Sequence, residues 1–340
     1  MSEVLITGGA GFIGSNLALR LLREGHSVTV LDDLSRRGSE QNLAWLRAQF
    51  PALRFLQADV ADPAAANRAV EGAARVYHLA GQTAVTVSVT DPLADFRSNA
   101  EGTLRMLEAA RRYGDNPVFL YASTNKVYGD LTAARVERDG ERYRLADLPH
   151  GVPESFPLDF ASPYGCSKGC GDQYVRDYFR IYGLRTVVLR QSCIYGTRQF
   201  GVADQGWLAW FVQSSLCGRE VRVFGDGRQV RDVLFIDDLL DAYAAAMSSP
   251  ALSAGEVFNV GGGPANAIAV WSDVAPLLER LTGHPVPVSF ADWRPCDQRV
   301  YISDTRKLEQ RLGWRPKTDW QTGLGLLVAW LRENLGLFGA

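Results

Sequence analysis

Histidine and cysteine are scarce in this chain. Its four histidines (His26, His78, His150 and His284) lie far apart, and its five cysteines (Cys166, Cys170, Cys193, Cys217 and Cys296) are odd in number and form no Cys-x-x-Cys pair. That spacing argues against a zinc site or a disulfide framework, so no metal is expected. Charge of one sign is missing too: 36 basic residues face 38 acidic ones, for a net charge of −2, and no Lys/Arg block makes a polyanion-binding stripe. Nucleic acid is not an expected partner. No run of about 18 apolar residues occurs, and Met1-Ser2-Glu3 passes straight into Val4-Leu5-Ile6 without a basic or long apolar leader. A soluble, cytoplasmic chain with no membrane partner is the expectation. Repeats at solenoid periods and low-complexity tracts are also absent.

What is present is an ordinary globular mixture, 46% apolar and 22% charged over 340 residues, enough for one sheet-centred core plus a lobe. The first half alternates short β-branched runs with stretches of helical spacing. Val4-Leu5-Ile6, Val28 to Leu31, Leu53 to Leu56, Val76 to Leu79, Val118 to Tyr121 and Thr186 to Leu189 read as six strands, several apolar throughout, as strands covered on both faces are. Ile13 to Arg23, Asn42 to Gln49, Pro63 to Val70, Leu93 to Tyr113 and Tyr164 to Tyr182 read as the intervening helices. The fold expected is α/β, a doubly wound parallel sheet of Rossmann type with a second, smaller α/β lobe. Residues 1–189 form the sheet domain, with 231–260 returning to it, and 190–230 and 261–340 form the lobe. Beyond about residue 190, where the lobe interleaves with the end of the sheet domain, Trp207 to Leu216, Val270 to Leu281 and Thr318 to Asn334 read as helices, and Val221 to Phe224 and Val257 to Asn259 as strands. Leu131 to Pro157 lacks periodicity and reads as a long excursion over the site mouth.

Two constellations carry chemistry. Strand Val4 to Ile6 runs into Thr7-Gly8-Gly9-Ala10-Gly11-Phe12-Ile13-Gly14 and then a helix, the context in which glycines let a pyrophosphate approach backbone amides at a helix start. The second strand ends at Asp32, where a carboxylate accepts both hydroxyls of an adenosine ribose and favours NAD over NADP. Arg36 and Arg37 are either solvated loop charges or a site for a 2′-phosphate. Asp59 and Val60, after the third strand, fall beside the adenine. Tyr164-Gly-Cys-Ser-Lys168 opens a helix, and the i, i+4 spacing brings the ammonium beside the phenol, favouring the phenolate as a general base. Thr124, where strand Val118 to Tyr121 runs out, faces the same crevice and is placed to hydrogen-bond a reacting hydroxyl. Trp207, Trp210 and Phe211 have helical spacing and read as core or interface, and Cys166 and Cys170 as small buried groups.

Taken together, these residues resemble the extended branch of the short-chain dehydrogenase/reductase superfamily. Thr7 to Gly14, Leu79-Ala80-Gly81, Asn99 to Thr103, the Thr124/Tyr164/Lys168 set, Arg231-Asp232-Val233 before Ile236 to Leu239, and Leu312 to Lys317 match it in order. The resemblance implies a nucleotide-sugar epimerase or dehydratase with retained NAD. It places Gly8, Gly11, Phe12, Ile13, Asp32, Asp59, Val60, Leu79, Ala80, Gln82, Asn99, Tyr164 and Lys168 at the cofactor. Thr124 orients the substrate, Tyr164 is the base, and Lys168 lowers its pKa. A nucleotide-diphosphate sugar would meet Gln82, Thr124, Asn125, Gln205, Arg231 and Arg299, the two arginines clamping the pyrophosphate. A homodimer or homotetramer is implied as well.

Within that branch, the acidic residues that dehydratases carry after this Thr are replaced by Asn125 and Lys126, which disfavours elimination. Ser123 to Leu131, Ser162 to Gly169, Arg198-Gln199-Phe200, Asp204 to Trp207 and Asp297 to Val300 resemble the CDP-tyvelose (CDP-paratose) 2-epimerase family. The expected activity is inversion of carbon 2 of a CDP-linked hexose through a transient keto sugar. A 4-epimerase and a non-catalytic dinucleotide-binding protein are the alternatives.

Overall fold

The computed structural model describes residues 3–294 and 296–338. Met1 and Ser2, on which the reading of the chain start partly rests, lie outside that range, as do the last two residues of the expected 261–340 lobe. Seven strands form the central sheet: β1 (Glu3–Thr7), β2 (Ser27–Asp32), β3 (Arg54–Gln57), β4 (Arg75–His78), β5 (Val118–Thr124), β6 (Thr186–Gln191) and β7 (Val257–Val260). Every pairing is parallel and the order is β7-β6-β5-β4-β1-β2-β3. The six strands read from the sequence are β1 to β6, and β7 extends the sheet beyond β6. Apolar runs account for the layering: all six residues of β6 and four of the five in β1 are buried, which only helices on both faces provide. Chain order reverses between β1 and β4, so the carboxyl ends of these strands open a crevice at the switch point.

The expected helix from Leu93 to Tyr113 is broken. Pro92–Phe96 is followed by a π-helical turn, Arg97–Glu101, before Gly102–Tyr113 resumes α geometry. Close packing explains the break: a Cβ on Gly102 would lie 2.7 Å from Val60 Cγ2, and the Thr103 hydroxyl donates to the Asn99 carbonyl at 2.6 Å. The 131–157 excursion holds an antiparallel hairpin, Val136–Asp139 with Arg142–Leu145, whose turn places Gly140 at φ 60°. Beyond β6, strands Cys193–Tyr195, Val230–Phe235, Ala267–Ala269 and Val300–Tyr301 form a second sheet, and Val221–Phe224 pairs in parallel with Val288–Ala291. The Trp207–Leu216, Val274–Thr282 and Trp320–Glu333 helices complete this region. Among the described residues no helix is long and apolar enough to cross a membrane.

One buried ion pair fixes the helix Ser162–Tyr182 on the sheet. Arg190 of β6 donates from Nε and Nη2 to the two oxygens of Asp172, each at 2.9 Å, and Ser123 of β5 adds a hydroxyl bond at 2.8 Å. Arg190 Nη1 also donates to the Tyr128 hydroxyl at 3.0 Å, which donates on to Asn259 Oδ1 of β7 at 2.8 Å. Asp172 is 0% and Arg190 2% exposed, so neither charge has water to fall back on. Replacing Arg190 by Met leaves Asp172 buried without its counter-charge and should cost about 3–5 kcal/mol of unfolding free energy. Chemical denaturation of the two proteins checks this, and a loss below about 1 kcal/mol would show that the pair does not hold the layers together.

Candidate active site

The β1–helix turn is built for close approach. Gly8 takes φ +67°, and a Cβ there would lie 2.8 Å from the Ala80 amide nitrogen; one on Gly14 would lie 2.2 Å from the Gly8 carbonyl oxygen. Nothing larger than glycine fits either place without moving backbone. The Phe12–Arg23 helix that follows has no side-chain cap, so its first amides and positive dipole end face the crevice. Gly8, Gly11, Phe12 and Ile13 line a cavity of about 850 Å³ that runs along the carboxyl ends of the strands. Asp32 lines it too, its carboxylate fixed by the Ala10 amide at 3.0 Å and the Leu34 amide at 2.9 Å. Burial pushes its pKa up, while these amide bonds pull the other way. A glycine cradle beside a fixed carboxylate is the donor and acceptor set that a dinucleotide's diphosphate and ribose require.

The remaining expected cofactor positions divide. Asp59, Val60, Leu79, Ala80 and Gln82 are on the wall. Gln82 turns its amide onto its own loop, donating to the Ala84 carbonyl at 2.6 Å and accepting from the Ala84 amide at 2.5 Å. Asn99 is off the wall: it is buried behind Gly81, where its Nδ2 donates to Asp95 Oδ1 and Ser167 Oγ at 3.1 Å each. The π-helical turn that carries it directs it inward. Arg36 is on the wall and donates to Gln205 Oε1 at 2.7 Å across the mouth, while Arg37 is not on the wall.

Thr124, Tyr164 and Lys168 meet on one side of the cavity. Thr124 ends β5, and its hydroxyl accepts from the Lys126 amide at 3.2 Å and donates to Asn125 Oδ1 at 3.3 Å. Tyr164 sits in the first turn of the Ser162–Tyr182 helix, its amide bonded to Ser88 Oγ at 3.1 Å. Lys168, one turn on, donates from Nζ to the Ala122 carbonyl at 2.6 Å and lies 4.2 Å above the Tyr121 ring centre. The electrostatics differ from the expectation of a depressed phenol. Burial pushes Tyr164 up to about 12 against a Thr124 hydrogen bond that lowers it, and burial pushes Lys168 down to about 7. Desolvation dominates both shifts, and neither group acts on the other: the ammonium is directed to Ala122 and Tyr121, and the charges that oppose its desolvation are Asp172 and Asp95.

A second group of wall residues is cationic. Arg231 donates to Asp297 Oδ1 at 2.6 Å and to the Val230 carbonyl at 2.7 Å. Arg299, expected beside it, is exposed and stacks 5.4 Å from the Tyr143 ring centre, outside the cavity. The inward guanidinium of that segment is Arg294, 3.8 Å from the Phe224 ring centre and 2.9 Å from Asp204. Cys296, at φ 58°, turns the chain between the two arginines. Arg222 and Arg294 were not among the expected site residues, and the arginine three residues before Asp297 was the available signal. Asn125 and Gln205 line the cavity; Trp207 and Phe211, read as core or interface, belong to the core layer and border the cavity as well. Cys166 is exposed, not buried, and Cys170 is half-buried.

The profile of the NAD dependent epimerase/dehydratase family matches residues 4–261. CDP-paratose 2-epimerase of Salmonella typhi is 40% identical over 335 residues, covering 96% of this chain and 98% of that one. Among solved structures, UDP-glucose 4-epimerase of Thermotoga maritima with UDP-glucose superposes with a TM-score of 0.84 at 33% identity, over 98% of this chain and 99% of that one. The dTDP-glucose 4,6-dehydratase of Streptomyces venezuelae with NAD bound gives 0.85 at 30% identity, over 98% of each.

The depressed Lys168 has a measurable consequence. Between about pH 10.5, its ordinary value, and about pH 7, the unfolded chain binds a proton that the cofactor-free fold refuses, so stability falls as pH drops through that window. Lys168→Met should remove this contribution, so its stability relative to wild type rises steadily from pH 10.5 to 7 and then levels off. Denaturation midpoints at several pH values check it; a pH-independent difference would show that Lys168 is not desolvated.

Proposed function

The chain belongs to the NAD-dependent epimerase/dehydratase family and uses NAD, and from that premise we propose that it inverts carbon 2 of a CDP-linked hexose of the paratose/tyvelose type. The observation that carries the reading is the end of β5: Thr124 joins Tyr164 and Lys168 on one wall, and the next positions, Asn125 and Lys126, offer no carboxylate to expel a leaving group. The 40% identity to a CDP-paratose 2-epimerase supports the same substrate class.

Carbon 2 of a glycosidically linked sugar is not adjacent to a carbonyl, so its hydrogen is not acidic and oxidation has to precede inversion. Bound NAD supplies reversible hydride acceptance and a positive charge in its oxidised ring. Gly8, Gly11 and the start of the Phe12–Arg23 helix would hold its diphosphate, and Asp32 its ribose. Tyr164 Oη takes the proton of the 2-hydroxyl and returns it after inversion, while Thr124 Oγ1 holds that oxygen in line. A phenol at about 12 in the free cavity becomes a base near neutrality only as positive charge gathers beside it; Arg36 already pulls it down, and Lys168, one helical turn on, is the further cation this chain can bring. Arg231, Arg294 and Arg222 grip the diphosphate, so the keto sugar is tethered at one end and free to present its other face.

Partner and site share one helix layer. Leu93 is 80%, Ile181 65% and Phe96 56% exposed on the Pro92–Phe96 and Ser162–Tyr182 helices, and a second copy of the chain is the occupant we propose for that apolar face. Leu93→Asp combined with Ile181→Asp should convert the dimer or tetramer to a monomer in sedimentation velocity; an unchanged assembly would place the interface elsewhere.

The activity itself is tested by NMR of the products from CDP-paratose, CDP-glucose and UDP-glucose. Carbon-2 inversion of a CDP sugar is expected, and inversion at carbon 4 alone would replace the reading with that of a 4-epimerase. Tyr164→Phe should lower kcat by about 10²–10⁴-fold; turnover at the wild-type rate would remove Tyr164 from the chemistry.

A further inference from the structure

Lys126 is a half-buried cation on the cavity wall, its side chain 20% exposed, with few partners from the protein itself. Its carbon chain leaves the turn directly after Thr124, whose hydroxyl accepts the Lys126 amide hydrogen, so the side chain starts from the same few residues that present the reacting hydroxyl. Of its three N–H donors, one meets the Cys296 carbonyl at 3.3 Å, and Asp297 Oδ1 stands 3.9 Å away. Burial lowers its pKa, with the Arg231 charge adding to the effect and Asp297 opposing it. An ammonium with unfilled donors on the wall of a cavity is stabilised by whatever acceptor enters that cavity.

Its position along the cavity makes the occupant specific. Asp297 Oδ1 is shared with Arg231, which it meets at 2.6 Å, so two cations flank one carboxylate and an excess positive charge faces inward. Lys126 is the one nearer in sequence to Thr124. Its amide is bonded to the Thr124 hydroxyl, so a phosphate on its ammonium would stand within one lysine side chain of the strand end that carries Thr124, a span that suits a carbon next to the glycosidic one.

We propose that Lys126 binds the sugar-bearing phosphate of the nucleotide sugar and thereby selects carbon 2 over carbon 4. The inference rests on the 2-epimerase reading for its regiochemistry, whereas the phosphate contact stands on the cavity alone.

Titration calorimetry with CDP, on wild type, Lys126→Thr and Lys126→Arg holoenzymes, tests the contact. Loss of a charge-assisted bond predicts ten- to hundred-fold weaker CDP binding in Lys126→Thr, and Lys126→Arg should recover most of it. Equal affinity in the folded Thr variant overturns the contact. Should the Thr variant not fold, the Arg variant still decides through salt: it should keep the wild-type fall in CDP affinity with added NaCl, and a flatter response overturns the proposal. NMR of products from CDP-paratose then tests selection: wild type inverts carbon 2, and Lys126→Thr should lose at least tenfold more kcat at carbon 2 than at carbon 4. An unchanged ratio overturns the selection. Wild type that inverts no carbon 2 sinks the 2-epimerase reading instead, and leaves the CDP titration to decide the contact.

Discussion

Asp172 and Arg190 meet where no water reaches, and the geometry of the site depends on that contact. Asp172 belongs to the helix that carries Tyr164 and Lys168; Arg190 belongs to β6; Ser123, bonded to the same carboxylate, is the residue before Thr124. One ion pair therefore sets the height of the helix that carries Tyr164 and Lys168 against the strand end that carries Thr124. A buried pair of this kind contributes less to net stability than to uniqueness of arrangement, because desolvation offsets much of the attraction. Tyr128 extends it to Asn259, which also holds the Val152 carbonyl at 2.8 Å and so ties the 131–157 excursion to the sheet.

The same low-dielectric setting shapes the reactive groups. Tyr164 and Lys168 are each displaced toward their neutral forms, so the free cavity holds a reluctant acid beside a reluctant cation. Neither is poised alone. Positive charge entering the crevice favours the phenolate, so under the proposed roles the ionisation of Tyr164 is coupled to occupation of the glycine-lined groove. On the same cavity wall, Arg231 and Lys126 share Asp297 and Arg294 meets Asp204, so cations outnumber carboxylates there, a distribution that suits a diphosphate.

Most of the sheet was legible because its strands are unbroken β-branched runs: β1, β2 and β6 bury nearly every residue. The glycine turn and the Tyr164/Lys168 spacing were legible for a related reason, since backbone approach and i, i+4 proximity are local. Strand Val230–Phe235 escaped notice because Arg231 and Asp232 interrupt its apolar pattern, and both are buried only through distant partners, Asp297 for one and Ser192 and the Gly263 amide for the other. The choice between Arg294 and Arg299 was illegible for the same reason: the turn at Cys296 decides which guanidinium points inward. The exposed face of Cys166 and the π-helical turn around Asn99 likewise follow from tertiary packing.

The central claim is that a hydroxyl-bearing carbon is oxidised and then reduced within one closed site. CDP-paratose carrying deuterium on carbon 2 tests it most directly. The account predicts that the inverted product keeps the deuterium on carbon 2 when the reaction runs in ordinary water. Loss of the label to solvent would mean that the carbon is deprotonated rather than oxidised, and would contradict the roles given to Tyr164 and the cofactor groove.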